Sequence, residues 1–288
     1  MDLFVQLTIN GVIAGAIYAL IALGFALIFG VTKFFNLAHG AVAVVGGYAA
    51  FFFLEHAGLG VLPAAALAVC VAGMVGFALH KTVFLPLRRR QATNLVLLIA
   101  ALGLLTVIQA LIAMFFGSQF HPLSQFAGAQ EVYRIAGGAI TLVQLIIIIS
   151  ALAVFGLLTL FLKKTKFGKA VKAIGDDEEV AQIVGINTHA IIGYVFFIGS
   201  AIAGLGGVLV GFDTGIEPTM GLSLLLKGII AAIVGGVGSL SGAVLGAFLL
   251  GLAENLGIWH ISGEWKDAIA FGILIFFLIW RPRGILPR

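Results

Sequence analysis

The chain has 288 residues, of which 61% are hydrophobic and only 10% are charged, and its formal net charge is +4. Soluble domains usually carry about 25% charged residues, so this composition excludes an ordinary soluble enzyme, a disulfide scaffold and a disordered chain. Apolar runs close to the roughly 20 residues that cross a bilayer instead predict an all-α, polytopic transmembrane helical bundle. The basic residues are then expected in loops, where they set orientation, and nucleic-acid binding is not expected.

The first apolar run covers residues 3–30, which is far longer than the apolar core of a secretory signal peptide, and no basic segment precedes it. It is therefore expected to remain in the mature protein as a spanning helix. Further apolar runs predict spans at residues 37–54, 61–79, 95–116, 140–162, 191–212, 222–252 and 269–280. The sequence thus predicts one integral-membrane domain over residues 1–288, with eight or nine spans.

The count depends on the run 222–252, which is too long for one untilted span at a helical rise of 1.5 Å per residue. Small residues cluster near its middle, at Gly235, Gly236, Gly238, Ser239, Ser241 and Gly242. Because such a cluster interrupts a helix, the run is predicted to break into two shorter helices.

Glycine is abundant throughout, at 39 residues. In lipid no hydrophobic force drives helices together, so small residues that let two backbones approach closely are favoured at helix contacts. Two groups are therefore predicted to form helix-packing faces: Gly11, Gly15 and Ala19, and Gly242, Gly246 and Leu250 with Gly251.

Orientation follows from the basic residues, because short cytoplasmic loops carry an excess of Lys and Arg. Thirteen of the sixteen fall in four segments, namely Lys33; Lys81 with Arg88, Arg89 and Arg90; Lys163, Lys164, Lys166, Lys169 and Lys172; and Arg281, Arg283 and Arg288. Threading the spans alternately places all four segments on one side, which is predicted to be the cytoplasm. The C-terminus then lies inside and the N-terminus outside, an arrangement that favours nine spans over eight.

The segment at about 163–189 is the most polar part of the chain. It predicts a short basic helix over residues 167–174, ended by Gly175. A second helix is expected to follow, capped by Asp176 with Glu179 completing a capping box, and stopped by Gly185.

Val180, Ile183 and Val184 of the second helix stand at positions i, i+3 and i+4, which gives it one apolar face outside the membrane. Such a face suits a groove on another protein. The alternative is a solvated basic loop that only anchors topology.

The sequence contains no phosphate-binding loop and no cluster of metal ligands. The chain is therefore not expected to hydrolyse ATP or to be an enzyme.

Polar residues inside spans are candidates for function because burying them in lipid is costly. Asn36 and His39 are expected to share one helix face after a break at Lys33, followed by Gly40. Freed amides at such a break would point into the bundle, as in interrupted transporter helices. The alternative is an interhelical hydrogen-bond pair with no ligand.

Lys227 is a second candidate, with Asp213 and Glu217 near it in sequence. It is expected either to snorkel to the outer surface or to neutralise a carboxylate that lines a pathway. The glycines at 235, 236 and 238 are a third candidate, with a plain tight turn at the inner surface as the alternative. Glu254 and Asn255 are weaker candidates, since they could simply reach the outer interface.

Four motifs carry a resemblance to a known family: NLAHGAVAVVGGYAA at residues 36–50, FGKAVKAIGDDEEVAQIVGI at 167–186, LKGIIAAIVGGVGSLSGAVLGAFLLGLAENL at 226–256 and RPRGIL at 281–286. Together they resemble the LivH-type permease of branched-chain amino acid ABC importers, over nearly the whole chain. A more distant likeness to ribose-type sugar permeases touches the same positions.

The resemblance implies a permease subunit in the bacterial inner membrane that moves leucine, isoleucine and valine delivered by a periplasmic binding protein. It implies as further partners a second, LivM-type permease and two ATP-binding subunits, which would use ATP and Mg while this chain binds no cofactor. The pathway residues predicted above from their place inside the spans are Asn36, His39, Gly40, Lys227, Gly235, Gly236 and Gly238. The implied residues for coupling to the ATPases are Phe167, Gly168, Ala173, Gly175, Asp177, Val180, Ile183, Val184 and Gly185.

Other functions stay open at this point. Related permeases carry urea, short amides or aromatic acids. An ion-coupled secondary transporter would normally show carboxylates along its spans, whereas the 12 acidic residues here lie mostly in predicted loops and in the polar segment.

Overall fold

The computed structural model describes residues 2–126, 128, 131–135, 137–259 and 262–286. Arg288, which belongs to the predicted C-terminal basic segment, lies outside the described residues. The predicted all-α bundle is confirmed, with one small antiparallel hairpin added in a loop.

The helices follow the predicted spans closely. They are α1 (Asp2–Thr32), α2 (Ala38–Glu55), α3 (Val61–Leu79), α4 (Leu85–Arg89), α5 (Asn94–Phe116), α6 (Leu142–Lys164), α7 (Lys166–Asp176), α8 (Glu178–Ile183), α9 (Thr188–Asp213), α10 (Met220–Gly235), α11 (Leu240–Gly257) and α12 (Lys266–Trp280). A π-helical turn over His80–Phe84 joins α3 to α4. Strands β1 (Val132–Ile135) and β2 (Gly138–Thr141) form the hairpin.

In the described part of the chain, seven helical rods are long and apolar enough to cross a membrane: α1, α2, α3 continued by α4, α5, α6, α9 and α11. The chain is therefore a multi-pass membrane protein. The predicted break within 222–252 is confirmed, because α10 ends at Gly235 and α11 begins at Leu240. Two further helices at predicted spans, α10 and α12, are shorter, with 16 and 15 residues. The count of nine spans therefore stays a prediction.

The four basic segments gather at one end of the bundle, called here the basic end. Arg88 pairs with Glu178 beyond α7. One cavity at this end is lined by Val31, Lys163 and Gly238 together, and Ile285 N donates a hydrogen bond to Val234 O at the end of α10. The segments therefore share one end, as the alternate threading predicts.

The opposite end is built from the other loops. The Gln6 side chain near the start of α1 donates to Ala139 O of the hairpin. Backbone hydrogen bonds of 2.9 Å join His121 to Ile216 in both directions. The start of α1 thus lies away from the basic residues.

Helices α1, α2 and α9 form the centre of the bundle, whereas α5 and α6 are mostly exposed along their lengths. The predicted glycine faces are confirmed. A Cβ added at Gly11 would lie 2.9 Å from Leu252 Cα, and one added at Gly15 would lie 2.9 Å from Phe248 Cα, so α1 and α11 touch backbone to backbone. Gly246 likewise packs directly on the backbone of Ala231 in α10.

The contact between α2 and α9 gives a test of this packing. A Cβ added at Gly46 would lie 2.5 Å from Gly204 Cα. This Cα belongs to the backbone of α9, so it cannot rotate away as a side-chain atom could. We expect Gly46→Ala to lower the free energy of unfolding by about 1–3 kcal/mol, because the helices must separate to admit the methyl group. Thermal unfolding of the detergent-solubilised protein measures the effect.

Gly103→Ala is the matched control, since Gly103 is also helical but has nothing within 4 Å of its added Cβ. That variant should be as stable as the wild type or more so, because alanine favours the helix. Equal loss in both variants would contradict the packing role of Gly46.

Candidate functional site

The polar segment leaves α6 at the basic end through a tight corner. Thr165 caps α7, and its Oγ1 accepts a hydrogen bond from Gly168 N at 3.1 Å. Gly168 packs directly against the backbone of Leu162, so no side chain fits there. Helix α7 extends from Lys166 to Asp176, so the prediction that Gly175 ends it is wrong; Gly175 is a buried residue inside the last turn.

The cap of α8 also differs from the prediction. Asp177, not Asp176, is the N-cap, and its Oδ1 accepts hydrogen bonds from Glu179 N at 2.9 Å and Val180 N at 3.0 Å. The predicted capping box is wrong because Asp176 still belongs to α7, while the backbone of Asp177 is extended and directs its carboxylate at the next turn. Gly185, with φ of +87°, ends α8 as predicted.

Helix α8 presents its apolar residues to the outside. Val180, Ile183 and Val184 are 54%, 83% and 68% exposed, and Ala181 on the opposite face is buried. The helix is fastened at both ends, since Arg88 pairs with Glu178 at 2.5 Å and Gln182 donates to Thr188 Oγ1 at 3.0 Å. The described chain thus holds an uncovered apolar face at the basic end through two polar contacts.

Phe167, Gly168, Ala173 and Gly175 of the predicted coupling set face the bundle instead, whereas Asp177 and Gly185 are exposed at the two ends of α8. The Phe167 ring lies 5.5 Å from that of Phe161 and 6.5 Å from that of Tyr194 on α9. Ala173 is partly buried against the core. The predicted set therefore lies on one segment but divides into an inner face that anchors α7 and an outer face on α8.

The segment from Asn36 to Gly40 lies deep in the bundle. Helix α1 ends at Thr32, Lys33 has φ of +58°, and α2 begins only at Ala38. The break is confirmed, but the shared helix face is wrong, because Asn36 precedes the helix and its carbonyl accepts from His39 N at 3.2 Å.

Both side chains are buried, Asn36 to 3% exposure and His39 completely. Gly24 of α1 makes room for the imidazole, since a Cβ there would lie 2.9 Å from ring atoms Cε1 and Nε2. The Ile21 carbonyl faces the ring, yet neither ring nitrogen, nor Asn36 Oδ1, makes a hydrogen bond of ordinary geometry within the described chain. Within the described chain, these three atoms therefore form no interhelical hydrogen bond of ordinary geometry.

Unsatisfied polar atoms in a core are expensive, and a native protein that keeps them usually supplies water or a ligand. The neighbouring Gly40 packs directly on the carbonyl of Gly221 at the start of α10. The segment thus touches the beginning of α10 as well as α1, and it is a candidate for contact with a polar ligand.

Lys227, in the middle of α10, forms ion pairs with two carboxylates, neither of which is close to it in sequence. Its Nζ lies 3.2 Å from Glu254 Oε2 on α11 and 3.1 Å from Asp267 Oδ1 on α12. Asp213 instead accepts a hydrogen bond from Gln144. Lys227 therefore neutralises carboxylates, one of the two expected roles, and its partners are distant in sequence because α11 turns back against α10.

Glu254, a weaker candidate for which the outer interface was the alternative, is completely buried. The Tyr18 hydroxyl donates to its Oε2 at 2.7 Å, and Lys227 Nζ lies 5.3 Å from the Tyr18 ring centroid. The network joins α1, α10, α11 and α12. Sequence reasoning missed Tyr18, because a single phenol in an apolar helix carries no spacing signal that names its partner.

The glycines at 235, 236 and 238 form the turn between α10 and α11, with φ of +119° at Gly236 and +85° at Gly238. C-terminal residues cover this turn, since Leu286 N donates to Gly235 O at 2.8 Å. The turn belongs to the basic end, whereas the His39 ring lies against Gly24 and Phe25 of α1. The structure therefore does not bring the predicted pathway residues into one site, and it favours the tight-turn interpretation of these glycines.

Two cavities accompany these features. A cavity of about 460 Å³ lies at the basic end between α1, α6, α7 and the start of α11. A second of about 240 Å³ lies among α2, α3 and α5, with apolar and aromatic walls that include Tyr48 and Phe116.

Comparison with known proteins agrees with the multi-pass helical bundle described above. A family model described as the branched-chain amino acid transport system permease component matches residues 7–278. The chain is 34% identical to the high-affinity branched-chain amino acid transport system permease protein BraD of Pseudomonas aeruginosa, and 33% identical to the corresponding LivH protein of Escherichia coli strain K12. Each match covers 99% of this chain and 96% of the relative.

The fold is also similar to a solved structure, PsaBC from Streptococcus pneumoniae in complex with Fab, with a TM-score of 0.53. This match covers 95% of the chain and 91% of the other, at 14% identity, and it concerns the fold alone. The family match and the near full-length relatives carry the assignment: the chain belongs to the family of branched-chain amino acid transport system permease components.

Proposed function

We propose that the protein is the permease subunit of a bacterial ATP-driven importer that carries leucine, isoleucine and valine across the inner membrane. The observation that carries the proposal is the exposed apolar face of Val180, Ile183 and Val184, fixed at the basic end by the Arg88–Glu178 pair. Full-length relatives named as high-affinity branched-chain amino acid permeases support the substrate class.

In this proposal the basic end is cytoplasmic and the start of α1 is periplasmic, since Lys and Arg favour the inner side. Nine crossings then follow if α10 and α12 also traverse the membrane. Helix α10 is about 24 Å long at 1.5 Å per residue. The residues before it add length, because Ile216 pairs with His121 at the opposite end of the bundle. The chain from Ile216 to Gly236 thus connects the two ends.

The α8 face would sit in a groove of an ATP-binding subunit, one of two that use ATP and Mg. Movement of α8 would be transmitted to the bundle through its contacts with Arg88 of α4 and with Thr188 at the start of α9. A second, homologous permease would complete the pathway, and a periplasmic binding protein would deliver substrate to the opposite end.

The buried segment Asn36, His39 and Gly40 is proposed to contribute to the substrate pathway, because its polar atoms are unsatisfied where three helices meet. Lys227 is proposed to support the pathway by neutralising Glu254, which is otherwise a buried carboxylate. The glycines at 235, 236 and 238 are proposed to give the α10–α11 turn its shape rather than to contact substrate.

The function is tested by affinity purification of the tagged chain in mild detergent, followed by mass spectrometry and an ATPase assay. We expect a second permease and two ATPases, with ATP hydrolysis stimulated by a leucine-loaded binding protein. A lone chain that supports ion-dependent uptake would contradict the proposal. Stimulation of ATP hydrolysis by urea or an aromatic acid instead of leucine would show that the importer carries a different substrate.

Ile183→Asp should abolish recovery of the ATPases, because it places a charge at the centre of the proposed docking face, while the permease remains inserted. Lys166→Asp is the control, since it adds the same carboxylate to an exposed position at the start of α7, where a helix tolerates it. Unchanged recovery with Ile183→Asp would show that α8 does not dock.

His39→Ala should lower substrate uptake about tenfold, equivalent to about 1.4 kcal/mol, with ATPase recovery unchanged. His80→Ala is the matched control, because His80 is also a buried imidazole with unsatisfied nitrogens, but it stacks on Phe196 near the basic end. Wild-type uptake with His39→Ala, or equal loss in both variants, would return His39 to a packing role.

Lys227→Met should lower the free energy of unfolding by about 3 kcal/mol, because it leaves Glu254 as an unpaired buried charge. Adding Glu254→Gln should restore most of this loss, since the orphaned charge is removed. Thermal unfolding of the two single variants and the double variant measures the coupling. Additive effects would argue against a functional ion pair between the two side chains.

A further inference from the structure

The cavity of about 460 Å³ at the basic end borders the proposed coupling segment through Gly168 and α7, but no ligand has yet been assigned to it. It opens between α6 and α11. Its lining residues are Leu27, Val31, Thr159, Lys163, Lys169 and Lys172, with Leu240, Ser241 and small residues completing the wall.

The polar side of the cavity is positive. Lys163, Lys169 and Lys172 contribute to it from two helices, and no carboxylate lines it. Lys163 and Lys169 come from either side of the corner between α6 and α7, and both line the cavity. The Thr159 hydroxyl, on the α6 wall, has no hydrogen-bond partner in the described chain. The lining is therefore complementary to an anion with several oxygen acceptors.

The remaining wall is apolar. Leu27 and Val31 from α1 and Val171 from α7 form it, and α6 continues away from the cavity with Leu157 and Leu160 exposed on its outer surface. A free inorganic anion would gain nothing from this wall. An amphiphile with an anionic head and a hydrocarbon chain would use both parts, since lysine stems themselves pack against apolar groups.

We propose that this cavity binds an anionic phospholipid of the cytoplasmic leaflet. The phosphate lies between Lys163, Lys169 and Lys172, and an acyl chain follows the groove beside α6 into the bilayer. Basic pockets between helices at the cytoplasmic surface are suited to such headgroups. The choice of leaflet rests on the orientation given under the proposed function. Because α7 forms one wall and leads directly into α8, the bound lipid steadies the segment that carries the exposed apolar face.

The test is native mass spectrometry of the full chain in detergent, titrated with dioleoyl phosphatidylglycerol and, separately, with dioleoyl phosphatidylcholine. Phosphatidylglycerol should bind to the wild type at least about tenfold more tightly, because each lysine near the phosphate contributes attraction. The triple variant Lys163→Gln, Lys169→Gln and Lys172→Gln should lose this preference. Ser241→Trp, at the rim of the cavity, should weaken binding without any change in charge.

The matched control removes three positive charges from the same end but outside the cavity, with Lys81→Gln, Arg89→Gln and Arg90→Gln. It should bind phosphatidylglycerol like the wild type. Equal loss in the two triple variants would overturn the proposal in favour of unspecific surface attraction. Full displacement of the lipid by millimolar inorganic phosphate would overturn it in favour of a soluble phosphate ligand.

A further outcome concerns protein partners. In the assembled importer, the variant Ser241→Cys would form a cross-link to another subunit if that subunit covered the cavity. Such a cross-link, together with the absence of retained lipid, would overturn the proposal. Lipid binding is measured on the isolated chain, whereas transport is measured on the assembled importer. Failure of one proposal is thus distinguishable from failure of the other.

Discussion

Direct contact between helix backbones is the interaction on which the rest of this structure depends. A bilayer gives helices no hydrophobic reason to associate, so their attraction must come from close packing. Gly11 and Gly15 bring α1 onto α11, and Gly46 brings α2 onto Gly204 of α9. These contacts create a central group of buried helices, around which α5 and α6 form an exposed apolar surface.

The tight centre explains where polar groups are found. Gly24 leaves room for the His39 ring within the core, and the interruption between α1 and α2 places Asn36 beside it. Such groups would be too costly against lipid, but a protein interior can enclose them. The ion pair of Lys227 and Glu254 follows the same rule, because the tyrosine of α1 supplies a further hydrogen bond to the buried carboxylate.

The basic end has a different character. There the chain leaves the bundle, and Thr165 and Asp177 supply the caps that let α7 and α8 form as short helices outside it. Helix α7 is held by Phe167 and by Gly168 packed on α6, whereas α8 keeps its apolar face outside. One segment therefore joins an anchored helix, an exposed apolar face and a positively charged cavity within a few residues.

The sequence by itself determined the helical membrane class, the break after Gly235, the glycine faces and the apolar pattern of α8, because hydropathy, spacing and backbone freedom are local properties. Only the tertiary structure decided that Lys227 meets Glu254 rather than Asp213, and that Tyr18 joins them, since these partners come from helices far apart in the chain. It also decided the α8 cap, where one residue separates Asp176 from Asp177 and the backbone conformation determines which carboxylate points at the free amides.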